Sequence, residues 1–446
     1  MKVIIVGAGE VGFHIAKALS YENIDVVVID RDKEKIKRVM NELDVAVIEG
    51  EGGDISSLKD AGAESADILL AVTNSDETNM IACLLTKAMF KIPRKIARIR
   101  TSDYFKNEKL LNKENLDINP AINPELEVAM SIIRLLEIPI AMDVEDFEGG
   151  IVKVIGLRLK EGNYLIRKSL KDIGRKMEIK FLIGMIERQD RTIIPSGDDV
   201  IHNQDIIYVP VKKEDVYDML LHLKMDTASA RRVMIVGGGR VGGFIASYLE
   251  SRMDIKIIEQ NEERCKFLSR NLKRALVLHG DGVDQNLLFE ENIGDMDVFV
   301  AVSNNDELNI MASLLAKKHG AKKVIAIVNR TDYIPLARGL GLDVVMSPRL
   351  LTANTILRYV RKGDILSLTS IADGKAEIIE ARVGDNSQLL NKSLMEAKMP
   401  HSSLIGTIIR GNQVIIPKGS DKIYKDDRLI IFTLRESIKK VEEVLI

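Results

Sequence analysis

The chain opens with a strand, a glycine turn and a helix in immediate succession. Val3, Ile4, Ile5 and Val6 form an apolar, β-branched run; Gly7, Gly9 and Gly12 follow in the spacing G-x-G-x-x-G; and Phe13 to Tyr21 has helical spacing. The apolar run has the pattern of a strand buried on both faces. This order leaves few folds open, because the turn must be tight and the helix must pack close to the strand it leaves. Gly7 serves the turn, Gly9 leaves the backbone open to a pyrophosphate, and Gly12 allows the helix–strand contact. The helix N-terminus then offers free N–H groups to phosphate. A second apolar run, Val26 to Ile29, ends in Asp30, 23 residues past Gly7. An acid at this distance accepts hydrogen bonds from ribose hydroxyls and repels a 2′-phosphate, which favours NAD over NADP. A tight βα turn without a ligand is the simpler alternative, but strand, glycines, helix and acid together favour binding.

The alternation continues. Lys33 to Leu43 reads as a surface helix, and Val45 to Ile48, Ile68 to Val72 and Ile96 to Ile99 read as strands, the last carrying Arg98. Asp54 suits the N-cap of a helix through Ala61, and a further helix is expected from Asn79 to Phe90. Asp117 to Asn119 is expected to add a sixth strand. This pattern predicts a doubly wound α/β sheet whose ligand edge lies at the strand C-termini. Pro124 opens a helix with Leu126, Ala129, Ile132, Ile133 and Leu136 on one side. That stripe suits a neighbouring subunit and the helix's own domain equally. From Asp143 the texture becomes that of a small α+β module, with strands at Val152 to Leu159, Ile179 to Ile186, Thr192 to Ile194 and Asp205 to Val209. A helix, Lys212 to Met225, and a polar linker close it.

The chain then begins again. Val233 to Val236 leads into Gly237-Gly238-Gly239-Arg240-Val241-Gly242, at an offset of 230 residues from Gly7. Ile255 to Ile258 ends in Glu259, the counterpart of Asp30. Ala301 to Asn309 repeats Ala71 to Asn79, and Gly280 to Asp284 repeats Gly50 to Asp54. Lys168-Ser169-Leu170 recurs as Lys392-Ser393-Leu394, and Ile194-Pro195-x-Gly197 as Ile416-Pro417-x-Gly419. The chain is two copies of a two-domain unit, divided at 1–140, 141–225, 230–360 and 361–446.

Composition narrows the function. A net charge of −2 with interspersed signs gives no footprint for nucleic acid, and the absence of Trp argues against a base-stacking platform. Cys83 and Cys265, far apart in sequence, fit a reducing intracellular setting. The immediate first strand leaves no place for a signal peptide, and no apolar run approaches the ~18 residues of a membrane span. The six histidines, His14, His202, His222, His279, His319 and His401, show no metal-binding spacing. His279 lies beside the second glycine-rich loop, but its counterpart is Glu49, so it reads as a rim residue. A hydride-transferring enzyme needs a proton donor beside the nicotinamide, and no residue presents itself for that role. Binding without chemistry is the simpler reading. A nicotinamide-dependent oxidoreductase and a regulator of another partner, such as an efflux channel, are the alternatives.

The loop Thr73-Asn74-Ser75-Asp76-Glu77 has two roles open to it. Asn74 or Ser75 can cap the next helix with an acid in its first turn, and Thr73 and Asn74 can line the adenosine or ribose side of the cleft. Arg98 is either a surface charge or a phosphate ligand. Ile327 takes its place in the second copy, and Arg240 replaces Glu10. The two clefts are therefore expected to bind unequally.

These residues resemble the TrkA family, the regulatory subunits of Trk-type potassium uptake systems, built from RCK (or KTN) domains. Gly7-Ala8-Gly9-Glu10-Val11-Gly12, the Val72 to Asn79 loop and the two small modules carry the resemblance. It covers essentially the whole chain, and the tandem order is specific, since single-copy relatives stop after one unit. It implies two Rossmann-like doubly wound parallel-sheet domains, each followed by a small α+β TrkA-C-like domain. It further implies a non-enzymatic protein that binds NAD, as NAD+ or NADH, and also ATP or ADP. Such a protein would be cytoplasmic and peripheral on the inner face of the cell membrane, where it binds a membrane potassium-translocating subunit and assembles into a homo-oligomeric ring of RCK domains. By motif match Gly7, Ala8, Gly9, Glu10, Val11, Asp30, Thr73, Asn74 and Arg98 form the first site. Gly237, Gly238, Gly239, Arg240, Val241, Glu259, Ser303 and Asn304 form the second.

Overall fold

The structure is a computed structural model that describes residues 1–445 apart from 22–23, 102, 105–106, 177–180, 190, 361–364 and 372–373. The first sheet contains β1 (Lys2–Val6), β2 (Asp25–Asp30), β3 (Ala46–Glu49), β4 (Ile68–Ala71), β5 (Arg94–Arg98) and β6 (Ala121–Ile122). Its order is β3-β2-β1-β4-β5-β6, and every pair is parallel. That is the doubly wound order with its reversal beside β1. The apolar run of β1 is explained by two cores. Val3 and Ile5 face one, and Ile4 and Val6 face the other, on the far side of the sheet. Each fully buried aliphatic side chain there contributes on the order of 1.5–3 kcal/mol.

Local chemistry moves some expected boundaries. The sixth strand is Ala121–Ile122 and not Asp117 to Asn119, where Asp117 takes a left-handed conformation that interrupts a strand. The helix expected from Asn79 begins at Asp76, because the Ser75 hydroxyl accepts from the Thr78 N–H and caps it. Asp54 does occupy the N-cap of helix Ile55–Asp60, although its carboxylate accepts from the Ser56 and Ser57 hydroxyls.

The first small module contains β7 (Ala141–Phe147), β8 (Val152–Arg158), β9 (Met185–Arg188), β10 (Arg191–Ile193) and β11 (Ile206–Lys212). They form an antiparallel sheet in the order β10-β9-β11-β8-β7. β7 has no counterpart in the sequence reading, and residues 179–180 of the expected Ile179 to Ile186 strand lie outside the described residues. A partly exposed arginine paired with a buried aspartate ties the module's end. Arg188 donates twice to Asp205 at 2.8 Å, and the buried carboxylate also accepts from the His202 N–H.

The second half repeats both sheets. Its parallel sheet contains β12 (Arg232–Val236), β13 (Asp254–Glu259), β14 (Leu276–His279), β15 (Val298–Ala301), β16 (Lys323–Ile327) and β17 (Val344–Met346), in the order β14-β13-β12-β15-β16-β17. Its antiparallel sheet contains β18 (Ile365–Ile371), β19 (Ala376–Arg382), β20 (Ser403–Arg410), β21 (Gln413–Ile415) and β22 (Arg428–Leu434). The Arg–Asp pair recurs as Arg410 and Asp427.

The halves are crossed. Helix Pro124–Glu137, which leaves the first parallel sheet, packs on helix Arg240–Leu249 of the second. Its Val128, Ile132 and Leu135 join one core with Val233, Ile235 and Ile245. Helix Pro348–Val360 packs in return on helix Glu10–Ser20, placing Ala353, Ile356 and Leu357 in the core of Val3 and Ile5. Ala129, Ile132, Ile133 and Leu136 of the apolar stripe are therefore buried within the chain, while Leu126 stays exposed. Much of the stripe's partner is the second copy in the same chain. The two small sheets also share a core, in which Phe147, Val154 and Tyr208 meet Ile378 and Phe432.

Candidate functional site

Each parallel sheet has a cleft at its C-terminal edge, beside β1 or β12. In the first, Gly7 adopts φ +110°, and a Cβ there would lie 3.0 Å from the Thr73 N. A Cβ on Gly12 would lie 1.8 Å from the Gly7 carbonyl oxygen, so only glycine lets the helix start this close. A Cβ on Gly9 would meet nothing within 4 Å. That combination leaves the middle of the turn open to a ligand while its two ends are locked. Asp30 ends β2 beneath it. Its Oδ2 accepts from the Ala8 N–H at 2.6 Å and its Oδ1 from the Asp32 N–H at 2.9 Å. Each carboxylate oxygen keeps a further lone pair for a hydroxyl donor. Val11 is buried behind the loop, while Glu10 faces outward and pairs with Arg38 at 2.5 Å.

The opposite lip is built on buried Asn79. Its Oδ1 accepts from the Thr73 N–H at 2.9 Å and from the Thr73 hydroxyl at 2.7 Å, and its Nδ2 donates to the Arg98 carbonyl at 2.8 Å. Asp76 fixes the other side of the same loop by accepting from the Arg100 and Thr101 N–H groups. Arg98 Nη1 donates to Asn74 Oδ1 at 3.2 Å, while its Nε is buried with no partner among the described residues. Burial, with Arg100 and Arg349 nearby, lowers the Arg98 pKa. Arg98 is thus a half-buried guanidinium with a free donor beside the cleft.

The second cleft repeats the frame. Glu259 accepts from the Gly238 N–H at 2.7 Å and the Asn261 N–H at 2.8 Å. Ser303 is held by Asn309 as Thr73 is by Asn79, and Asn304 lies beside it in the same loop. Gly237 has φ +103°, and the middle position, Gly239, is again open. The charges differ. Ile327 replaces Arg98, and Arg240 faces Glu125 of the first half at 3.7 Å. Arg264 crosses the glycine loop, donating to the Gly238 carbonyl at 2.7 Å and the Gly239 carbonyl at 3.2 Å. Val241 is half-buried at the start of the helix. His279 is exposed at the rim, 3.1 Å from the Gln260 carbonyl.

Three features of the clefts escape a reading by motif. Asn79 and Asp76 carry the lip, and their recurrence as Asn309 and Asp306 was the signal for them. Arg264 had no such signal, because its counterpart Lys35 pairs with Asp32 instead. Among the described residues no His, Cys, Asp and Glu group could hold a metal ion.

Two parallel sheets in the doubly wound order, each with a glycine turn and an acid ending its second strand, define a tandem Rossmann-like α/β protein. Family models agree. The TrkA-N domain matches residues 3–124 and 233–348, and the TrkA-C domain matches residues 154–223 and 378–446. This chain belongs to the TrkA family of Trk-system potassium uptake proteins. It is 38% identical to the Trk system potassium uptake protein TrkA of Halomonas elongata, covering 100% of this chain and 98% of that protein. It is 39% identical to TrkA homolog 1 of Methanosarcina mazei, over 99% of each chain. Among solved structures, the GsuK channel bound to NAD matches with a TM-score of 0.63 and 17% identity, covering 100% of this chain and 78% of that one. The GsuK RCK domain matches at 0.62 and 17%, covering 100% and 94%. These likenesses concern the fold.

Proposed function

We propose that this chain is the non-enzymatic, nucleotide-sensing regulatory subunit of a Trk-type potassium uptake system. The observation that carries this reading is the pair of open glycine turns, each set over an anchored acid. NAD fits the residues present: the open backbone at Gly9, the acceptor-only Asp30 and the unpartnered Nε of Arg98 match a pyrophosphate flanked by ribose hydroxyls. Gly7, Ala8, Gly9, Glu10 and Val11 would take the pyrophosphate at the helix N-terminus. Asp30 would accept from the ribose, Thr73 and Asn74 would line the other lip, and Arg98 would reach phosphate. ATP or ADP would use the same acid and phosphate loop. In the second cleft Gly237 to Val241, Glu259, Ser303 and Asn304 take these parts, with weaker binding where Ile327 replaces the arginine.

The frame also supplies a route from site to partner. Helix Glu10–Ser20, which presents the phosphate loop, is the helix on which Pro348–Val360 of the other half packs. A ligand that draws the two cleft lips together would shift that contact and the relative angle of the halves. Coupling of this kind is typically ~1–3 kcal/mol. The chain would act within a homo-oligomeric ring of RCK domains, docked on the inner face of the cell membrane through the potassium-translocating subunit. Among the described residues no helix is long and apolar enough to cross a membrane. Domain limits at 1–140, 141–225, 230–360 and 361–446 belong to the same proposal.

The test is calorimetric titration with NADH, NAD, ATP and ADP, alongside capture of the membrane subunit. Binding that Asp30→Ala weakens, together with nucleotide-sensitive capture, is the expected result. Absence of binding by all four nucleotides would leave the glycine loops as structural turns and end the sensor reading.

A further inference from the structure

A cavity of about 760 Å³, separate from both glycine-loop clefts, lies where the two halves meet. Its wall draws on helix Glu10–Ser20, the first small module, the second parallel-sheet domain and the second small module. The volume is that of a small-molecule site. The lining mixes apolar side chains such as Met142, Ile206 and Leu357 with charged ones. Five lysine and arginine side chains, and His14, whose pKa burial lowers, face four carboxylates, so the balance of charge leans toward an anion. The carboxylates are also less available than their number suggests. Asp343 is matched by Lys317 at 2.6 Å, and burial beside Glu145 pushes the Asp143 carboxyl well above the usual carboxylate range.

Arg158 is the side chain that stands out. It ends β8, lines the cavity, and makes no hydrogen bond or ion pair with any described residue; its Nε is buried and unpartnered. A buried donor left in that state has given up its hydrogen bonds to water with nothing in return. The second small module shows the ordinary arrangement at the equivalent position. Arg382, ending β19, is exposed and lies 3.9 Å from Asp426. From helix Glu10–Ser20, His14 presents a second buried nitrogen, its Nε2, with no hydrogen-bond partner among the described residues and Glu10 at 3.7 Å.

We propose that this junction is a binding site for a small organic anion, an oxyanion carried on a compact apolar body, with Arg158 as its principal ligand. Bound there, the anion would tie the first small module to helix Glu10–Ser20 and to the second half, and so bias the same domain angle as the clefts. The site stands independently of any nucleotide reading.

Saturation-transfer NMR titration of the full chain with phenyl phosphate, benzoate and uncharged benzyl alcohol tests it. At least one of the two anions should bind about tenfold or more tightly than the alcohol, which converts one charge-assisted hydrogen bond. Which anion binds better identifies the oxyanion as phosphate ester or carboxylate. Arg158→Met should abolish that advantage and Arg158→Lys should retain part of it, whereas binding at either glycine-loop cleft would be indifferent to both. Thermal melting reports whether each variant folds. Met142→Trp, which fills the cavity from the neighbouring strand β7, should also remove binding and serves if Arg158→Met does not fold. Equal binding of the alcohol, no binding by either anion, or anion binding unchanged in the folded variants would overturn the proposal.

Discussion

At the scale of single residues, neighbouring glycines of one motif separate stability from binding. Gly12 carries the helix–strand contact, so Gly12→Ala drives a methyl into the Gly7 carbonyl. It should cost more than ~2 kcal/mol, read as a lowered urea midpoint. Gly9 has ordinary backbone angles, with φ −65°, and open space around it. Gly9→Ala should therefore melt within about 2 °C of the wild type while losing about tenfold or more in nucleotide affinity. If Gly9→Ala melts early instead, the turn is closed by something other than a ligand. Asp30→Ala removes charge-assisted acceptors worth about 1.5–3 kcal/mol and should weaken nucleotide binding by about 10–100-fold. Glu259→Ala should leave that Asp30-dependent step in place, because the two acids end different sheets. A common loss in both variants by calorimetry would show one shared site rather than two.

At the scale of elements, the first residues of β5 and β16 hold the ends of the crossed segments. Arg94 donates to the Tyr359 carbonyl at 3.0 Å, at the end of helix Pro348–Val360. Lys323 donates to the Ala141 carbonyl, where the first small module begins. The two are not equivalent electrically. Lys323 is buried, and desolvation pushes its pKa down to about 8 from 10.5. A lysine with a depressed folded pKa binds fewer protons folded than unfolded, so its contribution to stability rises between about pH 8 and 10.5. The full amplitude is about 3 kcal/mol. Urea unfolding should show the wild type gaining on Lys323→Met across that window, and parallel pH profiles for the two proteins would show that Lys323 does not titrate there.

At the scale of the whole molecule, the duplication acts as an internal dimer. The helix leaving each parallel sheet buries its apolar face on the other half, so residues 1–225 alone would expose Val128, Ile132 and Leu135 together with the face of helix Glu10–Ser20 that Ala353 and Ile356 cover. That fragment should self-associate in sedimentation experiments; a stable monomer would mean the crossed contacts are dispensable. Much of this protein was nevertheless legible in its residues. The β-branched runs, the two glycine motifs, Asp30, Glu259 and the repeated 71–79 and 301–309 loops determine two doubly wound sheets and two clefts, because strand burial, tight turns and helix starts depend on near neighbours in the chain. The helix stripe from Pro124 said only that an apolar partner was needed. Which partner, the role of Asn79 under Thr73, the passage of Arg264 over its loop and the isolation of Arg158 depend on groups brought together from distant segments. Periodicity fixes which face of an element is buried, and only the packed structure decides what that face meets.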